Sequence, residues 1–454
     1  MNEGLLDRIW NGDCLNVMDV IEDNSVDLIV TDPPYGLSFM GRDWDKAVPH
    51  TDIWKQCLRV LNPGAFAFIM CTPRQDCLSR MIVNLQDAGF ETGFTSILWT
   101  YANGFPKAMN ISKMIMKQVN DKGEIIGRYR LPNGKEWNLK QSDNPDIEHS
   151  GGNFTSSKTR TLDIIEPVNP QAKALNGSYA GFQPKPAVEV IIVVMKPLSE
   201  KTYVEQALKN GHGVTWLDNC RVPINEKIRT PQSNPNNRKG IVGTDLGITK
   251  SSIGKFQQSQ QESIERLNSL GRFPANLLVS DDALNNGVIT VSSGGQSNNQ
   301  FRQEHNIYGD EIENKQKVNP GLGDFGSFSR YFDLDKWWES KVKELPESVQ
   351  KTYPFLICPK ASKSERNGGI SDLEKGNIHP TVKPIKLISY LVTLGSRKNN
   401  IVIDPFIGSG TTAIACKMTN RHFIGIELSQ EYCNIAEQRI KAYENSLKDN
   451  QHEI

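Results

Sequence analysis

The sequence predicts an α/β protein with an open, mostly parallel sheet. Over about the first hundred residues, short apolar runs alternate with helical patterns, which is typical of a parallel sheet with helices on its faces. In addition, two apolar strands at opposite ends of the chain each lead into a turn rich in proline or glycine. Ligands of open α/β sheets bind at that position, beyond the carboxyl ends of the strands.

The first part of the chain supplies four predicted strands and two predicted helices. The strands lie near Arg8–Asn11, Asp27–Thr31, Ala65–Cys71 and Phe94–Tyr101, and the helices over Ile53–Val60 and Gln75–Ala88. A polar segment, 107–184, follows. The next run, Val188–Met195, is too apolar for an exposed loop, so we expect it to rejoin the sheet as the antiparallel partner of Phe94–Tyr101.

Residues 196–345 are the least regular part of the chain, and loops of this length are usually functional or disordered. They are either a target-recognition region or a flexible insertion. Phosphate contacts use cations and base contacts use planar groups, and the segment interleaves both: Arg221, Lys227, Arg229, Arg238, Lys239 and Arg272 with Trp216, Phe273, Phe301 and Tyr308. For Phe325–Phe332 and for the pair Trp337 and Trp338 a second interpretation is open. They are packing residues that close this region on the core instead of residues that contact a nucleic acid.

Alternation resumes toward the end of the chain. We expect a strand at Pro354–Cys358. The stretch Lys383–Leu394 carries the apolar pattern of an amphipathic helix, which we expect to start at Pro384. A strand at 401–404, a helix at 411–419, a strand at 423–427 and a helix at 429–445 complete the pattern.

Composition restricts the class of protein. No apolar run approaches the roughly 20 residues that cross a membrane, and the N-terminus lacks the layout of a signal peptide, so we expect a cytoplasmic protein. None of the eight cysteines forms a Cys-x-x-Cys pair or a cluster of zinc spacing, so no metal is expected. The formal net charge is +0, so any binding of nucleic acid has to rely on a local basic surface.

The first motif, Asp32-Pro33-Pro34-Tyr35, follows the apolar run Val26–Thr31. An Asp oxygen and the Pro33 carbonyl can each accept a hydrogen bond from an exocyclic amino group, and proline has no competing N–H. The tyrosine ring can stack on a planar ligand. The motif therefore indicates a site for a flat ring that carries an amino group, with a plain strand and Pro-Pro turn as the alternative.

The second motif runs from Asp404 to Thr411 and joins the predicted strand at 401–404 to the predicted helix at 411–419. Its glycines allow the backbone to approach a ligand, and the helix N-terminus offers free N–H groups. The next strand ends at Glu427, roughly 20 residues beyond Gly408, where a carboxylate commonly binds ribose hydroxyls. Because the third glycine of the dinucleotide fingerprint is absent, the motif indicates an adenosine-bearing cofactor without a pyrophosphate.

Together the two motifs resemble those of the DNA amino-methyltransferases, which move a methyl group from S-adenosylmethionine to an exocyclic base nitrogen. The catalytic motif comes first here, an order that resembles the permuted class called beta. Further stretches that resemble the family are Asn11-Gly12-Asp13-Cys14, Val60–Ile69 and His379-Pro380-Thr381-Val382-Lys383-Pro384. Gly104–Lys107, Gly271–Asn276 and Cys358–Asn367 resemble a branch common in phages and prophages. The resemblance covers about the first and last hundred residues and is patchy between them.

This resemblance implies a Rossmann-like, S-adenosylmethionine-dependent methyltransferase sheet of seven strands, mostly parallel with one antiparallel, and circularly permuted. It implies a catalytic half in 1–106 and a cofactor-binding half in 350–454. A large, irregular target-recognition insertion would fill 107–349, with a core strand near 187–195.

The resemblance also implies the site residues. The catalytic residues would be Asp32, Pro33, Pro34 and Tyr35, with Asp32 and the Pro33 carbonyl holding the amino group. Glu427 would bind the ribose hydroxyls and Asp13 the adenine amine of the cofactor. The S-adenosylmethionine pocket as a whole would comprise Asp13, Cys14, Asp32, His379, Thr381, Lys383, Asp404, Pro405, Phe406, Gly408, Ser409, Gly410, Thr411, Glu427 and Leu428.

The implied substrate is double-stranded DNA, from which the target base must be flipped out. Tyr35 would be the stacking platform, and Phe39 or Trp44 would form the opposite wall or belong to the core. Asp at position 32 resembles the adenine-N6 branch, and cytosine N4 is the alternative target. An RNA or protein methyltransferase and a non-catalytic nucleic-acid-binding subunit also remain alternatives. A cognate restriction endonuclease and a second copy of the chain are the implied protein partners.

Overall fold

The computed structural model describes residues 3–37, 45–100, 109–128, 138–139, 160–161, 163–182, 188–223, 271–279, 290–291, 325–326, 333–342, 363–367 and 381–449. The chain divides into two compact units. The core unit comprises Met1–Asn103 and Ala187–Ile454, and the small unit comprises Gly104–Pro186. Both sequence motifs belong to the core unit.

Fourteen strands occur in the described part of the chain. In chain order they are β1 (Arg8–Asn11), β2 (Val26–Thr31), β3 (Leu61–Cys71), β4 (Ile97–Thr100), β5 (Glu124–Arg128), β6 (Asn138–Leu139), β7 (Arg160–Thr161), β8 (Asp163–Glu166), β9 (Val188–Met195), β10 (Leu277–Val279), β11 (Thr290–Val291), β12 (Phe325–Gly326), β13 (Ile401–Asp404) and β14 (His422–Glu427).

Eleven α-helices occur in the same residues. They are α1 (Cys14–Met18), α2 (Thr51–Val60), α3 (Gln75–Asp87), α4 (Ile111–Gln118), α5 (Pro170–Ala174), α6 (Tyr203–Asn210), α7 (Leu334–Val342), α8 (Lys363–Asn367), α9 (Ile385–Gly395), α10 (Thr411–Met418) and α11 (Gln430–Asp449). Short 3-10 helices form at Glu3–Leu5 and Leu217–Cys220.

The core unit is built on one sheet of eight strands in the order β1-β14-β13-β2-β3-β9-β4-β10. Neighbouring strands are parallel, except that β9 is antiparallel to both β3 and β4. At the centre, β13 pairs with β2 through Val402 opposite Leu28 and Ile403 opposite Ile29. Strands from opposite ends of the chain are therefore neighbours, and their carboxyl ends open at the same edge.

The number of strands differs from the sequence prediction. Seven strands with one antiparallel were expected, whereas the sheet has eight, of which β9 is the antiparallel one. Val188–Met195 pairs with β4 as predicted, and it also pairs with β3. The additional strand, β10, lies in the segment that was predicted to be irregular. Its three residues are too few to show an alternating pattern.

The side chains of β2 alternate between two hydrophobic clusters, one on each face of the sheet. Leu28 and Val30 belong to one cluster, and Ile29 belongs to the other. α9 was predicted to be amphipathic, but every residue of it is buried, including Lys386. The reason is that α9 contacts the sheet at β2 and β3 and the helices α7 and α10.

Trp337 and Trp338 are packing residues of the core unit, which was one of the two sequence interpretations. They are 1% and 6% exposed. The Trp337 ring packs edge-on against Tyr390 of α9, with ring centroids 4.9 Å apart, and its indole N–H donates to the Asn219 carbonyl.

The small unit consists of two short antiparallel strand pairs, β5 with β8 and β6 with β7, and of α4 packed against α5. Asn110 caps α4 by accepting a hydrogen bond from Lys113 N, and Asn169 caps α5 in the same way. Asp121 connects the segment after α4 to the segment before α5, because its carboxylate accepts from the backbone N–H groups of Gly123, Val168 and Asn169.

Several sequence predictions lie outside the described residues. They are the strand Pro354–Cys358, the site residue His379, the base-pocket candidates Phe39 and Trp44, and the stretch Gly104–Lys107. Within the described residues, no helix has the length and apolar character needed to cross a membrane.

Candidate active site

The Asp32-Pro33-Pro34-Tyr35 segment leaves the end of β2 at the carboxyl edge of the sheet. Asp45, which is 3% exposed, fixes the path of the chain after the segment. Its Oδ1 accepts hydrogen bonds from the backbone N–H groups of Tyr35 and Gly36 at 2.8 and 2.9 Å. The four catalytic candidates are thus held on a turn that a buried carboxylate anchors.

Tyr35 folds back onto Asp32. Its hydroxyl donates to Asp32 Oδ1 at 2.5 Å and lies 3.4 Å from Glu189 Oε2. Burial, reinforced by these two carboxylates, raises the pKa of Tyr35 well above its ordinary value. The hydroxyl is therefore protonated at neutral pH and serves as a donor.

Lys383 binds the opposite side of Asp32. Its ammonium group donates to Asp32 Oδ2 and lies 3.3 Å from both Glu189 Oε2 and the Tyr35 hydroxyl. Burial alone lowers the pKa of Lys383, but the two carboxylates outweigh burial and raise the pKa above its ordinary value. The sequence assigned Lys383 to the cofactor pocket, whereas its charged end contacts the proposed catalytic carboxylate.

Glu189 was missed by the sequence reasoning. It is the second residue of β9, and its side chain is 14% exposed. Because β9 is antiparallel to β3, the start of β9 lies at the edge where β2 ends. The available signal was a single acidic residue inside the apolar run Val188–Met195, since a buried charge normally has a partner. We call Asp32, Tyr35, Glu189 and Lys383 the catalytic cluster.

The second motif forms the turn between β13 and α10. Gly408 and Gly410 have φ values of 53° and 83°, a backbone conformation that favours glycine. A Cβ on Gly410 would lie only 2.9 Å from the Cβ of Ala436 on α11. Gly410 therefore allows both the turn and its close approach to α11, and α10 begins directly after it with its free N–H groups at the carboxyl edge.

Asp404, at the end of β13, joins the two motifs. Its Oδ1 accepts from the Thr31 hydroxyl at 2.6 Å and from Phe406 N at 3.1 Å, and its Oδ2 accepts from the Thr412 hydroxyl at 2.6 Å. Burial raises the pKa of Asp404 to about 6, although these hydrogen bonds oppose the rise. The carboxyl group thus ties β13 to β2 and to α10. Pro405 beside it is buried, and the Phe406 ring lies 6.4 Å from that of Trp54.

Glu427 ends β14, the neighbour of β13. Its Oε2 accepts from Gly408 N at 3.0 Å, and its Oε1 accepts from Ser429 N at 2.8 Å. Burial raises the pKa of Glu427, and the backbone hydrogen bonds oppose this rise. The carboxylate therefore lies against the glycine turn, beside Leu428, which is 70% exposed.

The end of β1 is attached to the end of β14. Gly12 N donates to the Glu427 carbonyl at 3.0 Å, and the Asn11 amide donates to the carbonyls of Glu427 and Leu428. Asp13 caps α1 by accepting from Leu15 N. Burial raises the pKa of the adjacent Cys14 thiol to about 11, so this thiol is unreactive at neutral pH. Asp13 and Cys14 thus lie at the same edge as Glu427.

Arg439 of α11 is a second residue that the sequence reasoning missed. It is 2% exposed, and its guanidinium donates to the Ser409 carbonyl and, at 3.0 Å, to the Ser409 hydroxyl. The Thr411 hydroxyl lies 3.4 Å from the same nitrogen. Arg439 thus stabilises the glycine turn through hydrogen bonds from α11. Its position on a long helix gave no local sequence signal.

Arg221, Arg272 and Phe273, from the predicted recognition region, lie away from the catalytic cluster. Gly271–Asn276 precedes β10, which is parallel to β4, so Arg272 and Phe273 lie at the amino edge of the sheet. Arg221 pairs with Asp218 and lies 5.0 Å from the Phe273 ring centroid, and Arg272 is 4% exposed. The catalytic cluster lies at the other edge.

The carboxyl edge therefore combines three elements of an adenosine-cofactor site. They are a backbone turn that only glycine fits, the free N–H groups of α10, and the Glu427 carboxylate beside that turn. These residues fit S-adenosylmethionine. Thr381 is half-buried and precedes Lys383 by two residues, which places it close to the catalytic cluster in the chain. Among the described residues, no group of three or more His, Cys, Asp or Glu side chains is arranged to hold a metal ion.

Comparisons with known proteins found methyltransferases that are similar to parts of this chain. The orphan methyltransferase M.BamHII of Bacillus amyloliquefaciens is 48% identical over 65 residues, which are 14% of this chain and 24% of that protein. The type II methyltransferase M.HinfI of Haemophilus influenzae is 38% identical over 80 residues, which are 18% of this chain and 22% of that protein. The chain thus matches about a quarter or less of the length of these curated relatives.

Two solved structures are also similar. The PvuII DNA methyltransferase (cytosine-N4-specific) has a TM-score of 0.38 and 12% identity, with 97% of this chain and 92% of that chain covered. The complex of M1.HpyAVI with S-adenosylmethionine has a TM-score of 0.33 and 16% identity, with 95% and 98% covered. The model of the N6/N4 DNA methylase family matches residues 26–438. The chain belongs to this DNA methylase family, and its cofactor is S-adenosylmethionine.

Proposed function

We propose that the protein is a site-specific DNA methyltransferase that moves a methyl group from S-adenosylmethionine to the exocyclic N6 of an adenine in double-stranded DNA. The observation that carries the proposal is the pairing of β2 with β13. It brings the turn that bears Asp32 next to the glycine turn, and the hydrogen bond from Thr31 to Asp404 joins the two. The proposed amino-binding site thus adjoins the proposed cofactor site.

The chain's own residues orient the amino group. The nitrogen of a base amine is a weak nucleophile because its lone pair is conjugated with the ring. Asp32 and the Pro33 carbonyl would accept its two N–H hydrogens and so hold the lone pair toward the methyl donor. When bound, S-adenosylmethionine would supply an electrophilic methyl group as its S–CH3 bond breaks, and it would leave as S-adenosylhomocysteine. The methylated nitrogen would then release one proton, and no covalent enzyme intermediate is needed.

The charge of the catalytic cluster favours the reaction. Asp32 and Glu189 are carboxylates, and Lys383 is an ammonium group, so the three side chains together carry one negative charge. Positive charge develops on the base nitrogen as it takes the methyl group, and a fixed negative site stabilises it. The low exposure of Lys383 and Glu189, 9% and 14% of their side chains, strengthens these interactions.

Recognition of the base requires that it leave the duplex. Tyr35 would stack on the flipped base, and its hydroxyl bond to Asp32 holds the ring in a fixed orientation beside the carboxylate. On the cofactor side, Glu427 would bind the ribose hydroxyls and Asp13 the adenine amine. The remaining pocket residues proposed from the sequence are Cys14, His379, Thr381, Asp404, Pro405, Phe406, Gly408, Ser409, Gly410, Thr411 and Leu428.

The finer assignment is part of the same proposal. Asp32 favours adenine over cytosine as the target. The order of the motifs favours the permuted beta class, and the stretches Gly104–Lys107, Gly271–Asn276 and Cys358–Asn367 favour its phage-type branch. In this class we expect the chain to be organised as a catalytic half in 1–106, a target-recognition region in 107–349 and a cofactor half in 350–454. A cognate restriction endonuclease and a second copy of the chain are the proposed protein partners.

Long-read modification sequencing tests the proposal. DNA from a methylation-free host that expresses the protein should carry N6-methyladenine in one short sequence motif. Asp32→Ala should abolish the mark and retain a thermal shift with S-adenosylmethionine. Asp87→Ala, on the exposed end of α3, is the matched control and should methylate normally.

The other outcomes separate the alternatives. Methylation at cytosine N4 would keep the mechanism and change the base. Cofactor binding without any DNA modification would indicate an RNA or protein substrate. A protein that neither modifies DNA nor binds the cofactor would be a binding-only subunit.

A further inference from the structure

Both oxygens of the Asp32 carboxylate are already engaged in the catalytic cluster. Oδ1 accepts from the Tyr35 hydroxyl, and Oδ2 accepts from the Lys383 ammonium group. If the proposed function is right, one of these oxygens must receive an N–H of the base. Tyr35 stands on the same turn as Asp32, whereas Lys383 reaches Asp32 through a flexible four-carbon side chain. Lys383 is therefore the partner that can move away.

We infer that Glu189 is a positioning residue for methyl transfer, because it takes over the Lys383 ammonium group when the amino group of the base binds Asp32. Glu189 Oε2 already lies 3.3 Å from Lys383 Nζ. Charge-assisted N–H···O bonds close at about 2.8 Å, so a movement of about 0.5 Å completes the transfer. Neither residue needs to change its backbone.

The burial of Lys383 explains why a second carboxylate is needed. The residue is 8% exposed, and a buried charge that loses its only partner is strongly destabilising. If Asp32 were its sole partner, releasing Asp32 would leave the ammonium group uncompensated. Because Glu189 lies within reach, Lys383 remains paired before and after the base binds.

The position of Glu189 in the fold supports this role. It stands on β9, which pairs with β3 on one side and β4 on the other. A carboxylate fixed on a central strand keeps its place while Lys383, which stands on the segment before α9, moves between partners. Glu189 therefore acts through Lys383 and has no assigned contact with the base.

Glu189→Gln tests the inference because it keeps the shape of the side chain and removes its charge. Lys383 then has Asp32 as its only carboxylate, so the rate of methyl transfer in a single turnover should fall at least tenfold. The affinity for S-adenosylmethionine and the KM for DNA should stay within twofold, since neither binding step uses Glu189. Glu91→Gln is the matched control. Glu91 is exposed, and its backbone forms an isolated antiparallel β-bridge with Met195 at the other end of β9.

A double-variant cycle separates action through Lys383 from direct action. Lys383→Met removes the ammonium group, so the two carboxylates become unscreened neighbours and activity should fall. In that background Glu189→Gln should cause no further loss, because the ammonium group through which Glu189 acts has been removed. An equal loss in both backgrounds would mean that Glu189 contacts the base or the reacting atoms itself, and the inference would be overturned.

Base flipping provides a readout that a misfolded variant would fail. A duplex with 2-aminopurine at the target base should brighten on binding Glu189→Gln as it does with the natural protein, while transfer is slow. If Glu189→Gln does not fold, Glu189→Asp keeps the charge and should retain more activity than Glu189→Ala; equal activities would overturn the inference.

The inference and the proposed function fail differently. If the natural protein does not methylate DNA, the proposed function fails and the inference with it. If the natural protein methylates DNA in an Asp32-dependent manner but Glu189→Gln transfers at the natural rate, the inference alone fails.

Discussion

Asp404→Asn should make the core unit more stable at neutral and alkaline pH while leaving its stability in acid nearly unchanged. Asp404 is 3% exposed, and burial raises its pKa from 3.8 to about 6. The folded protein therefore binds a proton more tightly than the unfolded chain does. A carboxyl group of this kind contributes stability below its unfolded pKa and loses it as the pH rises through the folded pKa.

The magnitude follows from the size of the pKa shift. A shift of about two units corresponds to about 3 kcal/mol at pH values above both pKa values. Asparagine has no charge to bury. Its carbonyl oxygen can accept from Thr31 and Phe406 N, and its amide can donate to the Thr412 hydroxyl. The free energy of unfolding of the variant should thus exceed that of the natural protein by an amount that grows by about 2 kcal/mol between pH 4.5 and pH 8.

Urea unfolding followed by tryptophan fluorescence measures this difference, because Trp54 and Trp99 are buried in the core unit. Asp87→Asn, on the exposed end of α3, controls for the general effect of removing one negative charge. A difference between Asp404→Asn and the natural protein that stays constant from pH 4.5 to pH 8 would refute the reasoning, since the buried carboxyl group would then not be the one that titrates.

Two further substitutions test the cofactor site. Gly410→Ala should lower the free energy of unfolding by about 2–3 kcal/mol and the affinity for S-adenosylmethionine at least tenfold, because the new Cβ would meet Ala436 at 2.9 Å. The control Gly211→Ala, at a φ of 79° with open space around it, should lower the free energy of unfolding by only about 1 kcal/mol. Equal losses of stability in the two variants would argue against the close approach of Gly410 to Ala436. Glu427→Gln should weaken cofactor binding, measured by calorimetry, by about tenfold or more, because a charged acceptor is lost. The control Glu431→Gln, at an exposed position, should bind the cofactor normally. An unchanged affinity of Glu427→Gln would remove Glu427 from the ribose site.

Both motifs could be found from the sequence because each is a local pattern. Asp32 follows an apolar run directly, and the glycine turn stands between a strand and a helix whose patterns are unambiguous. The parallel sheet then requires that both turns leave the same edge. The predicted bounds of β1 and β13 agree with the structure.

Glu189 could not be assigned to the site because its surroundings depend on which strands flank β9. The sequence predicted that β9 is antiparallel to β4, but it did not predict the pairing with β3. Only the pairing of β9 between β3 and β4 places Glu189 beside Lys383. Arg439 is a similar case, because one charged residue on a long helix gives no indication of which loop it supports.

Asp404 illustrates a different limit of pattern reasoning. The resemblance implied that Asp404 lines the cofactor pocket, which stays a prediction. In the structure its oxygens accept hydrogen bonds from Thr31, Thr412 and the backbone of Phe406. A sequence pattern identifies the turn in which a carboxylate stands. It does not tell whether the carboxylate points toward the ligand or toward the strands that carry the turn.

The hydrogen bond between Thr31 and Asp404 joins the proposed base site to the proposed cofactor site. The two residues are 373 positions apart, and the bond between them is buried. Methyl transfer needs the amine, the methyl group and the sulfur in line, and a misplacement of about 1 Å is enough to slow such a reaction strongly. Alignment of this accuracy requires that the turn bearing Asp32 and the glycine turn move together. If the proposed function is right, this requirement is met at the boundary between β2 and β13, where the first and last parts of the sequence are neighbouring strands.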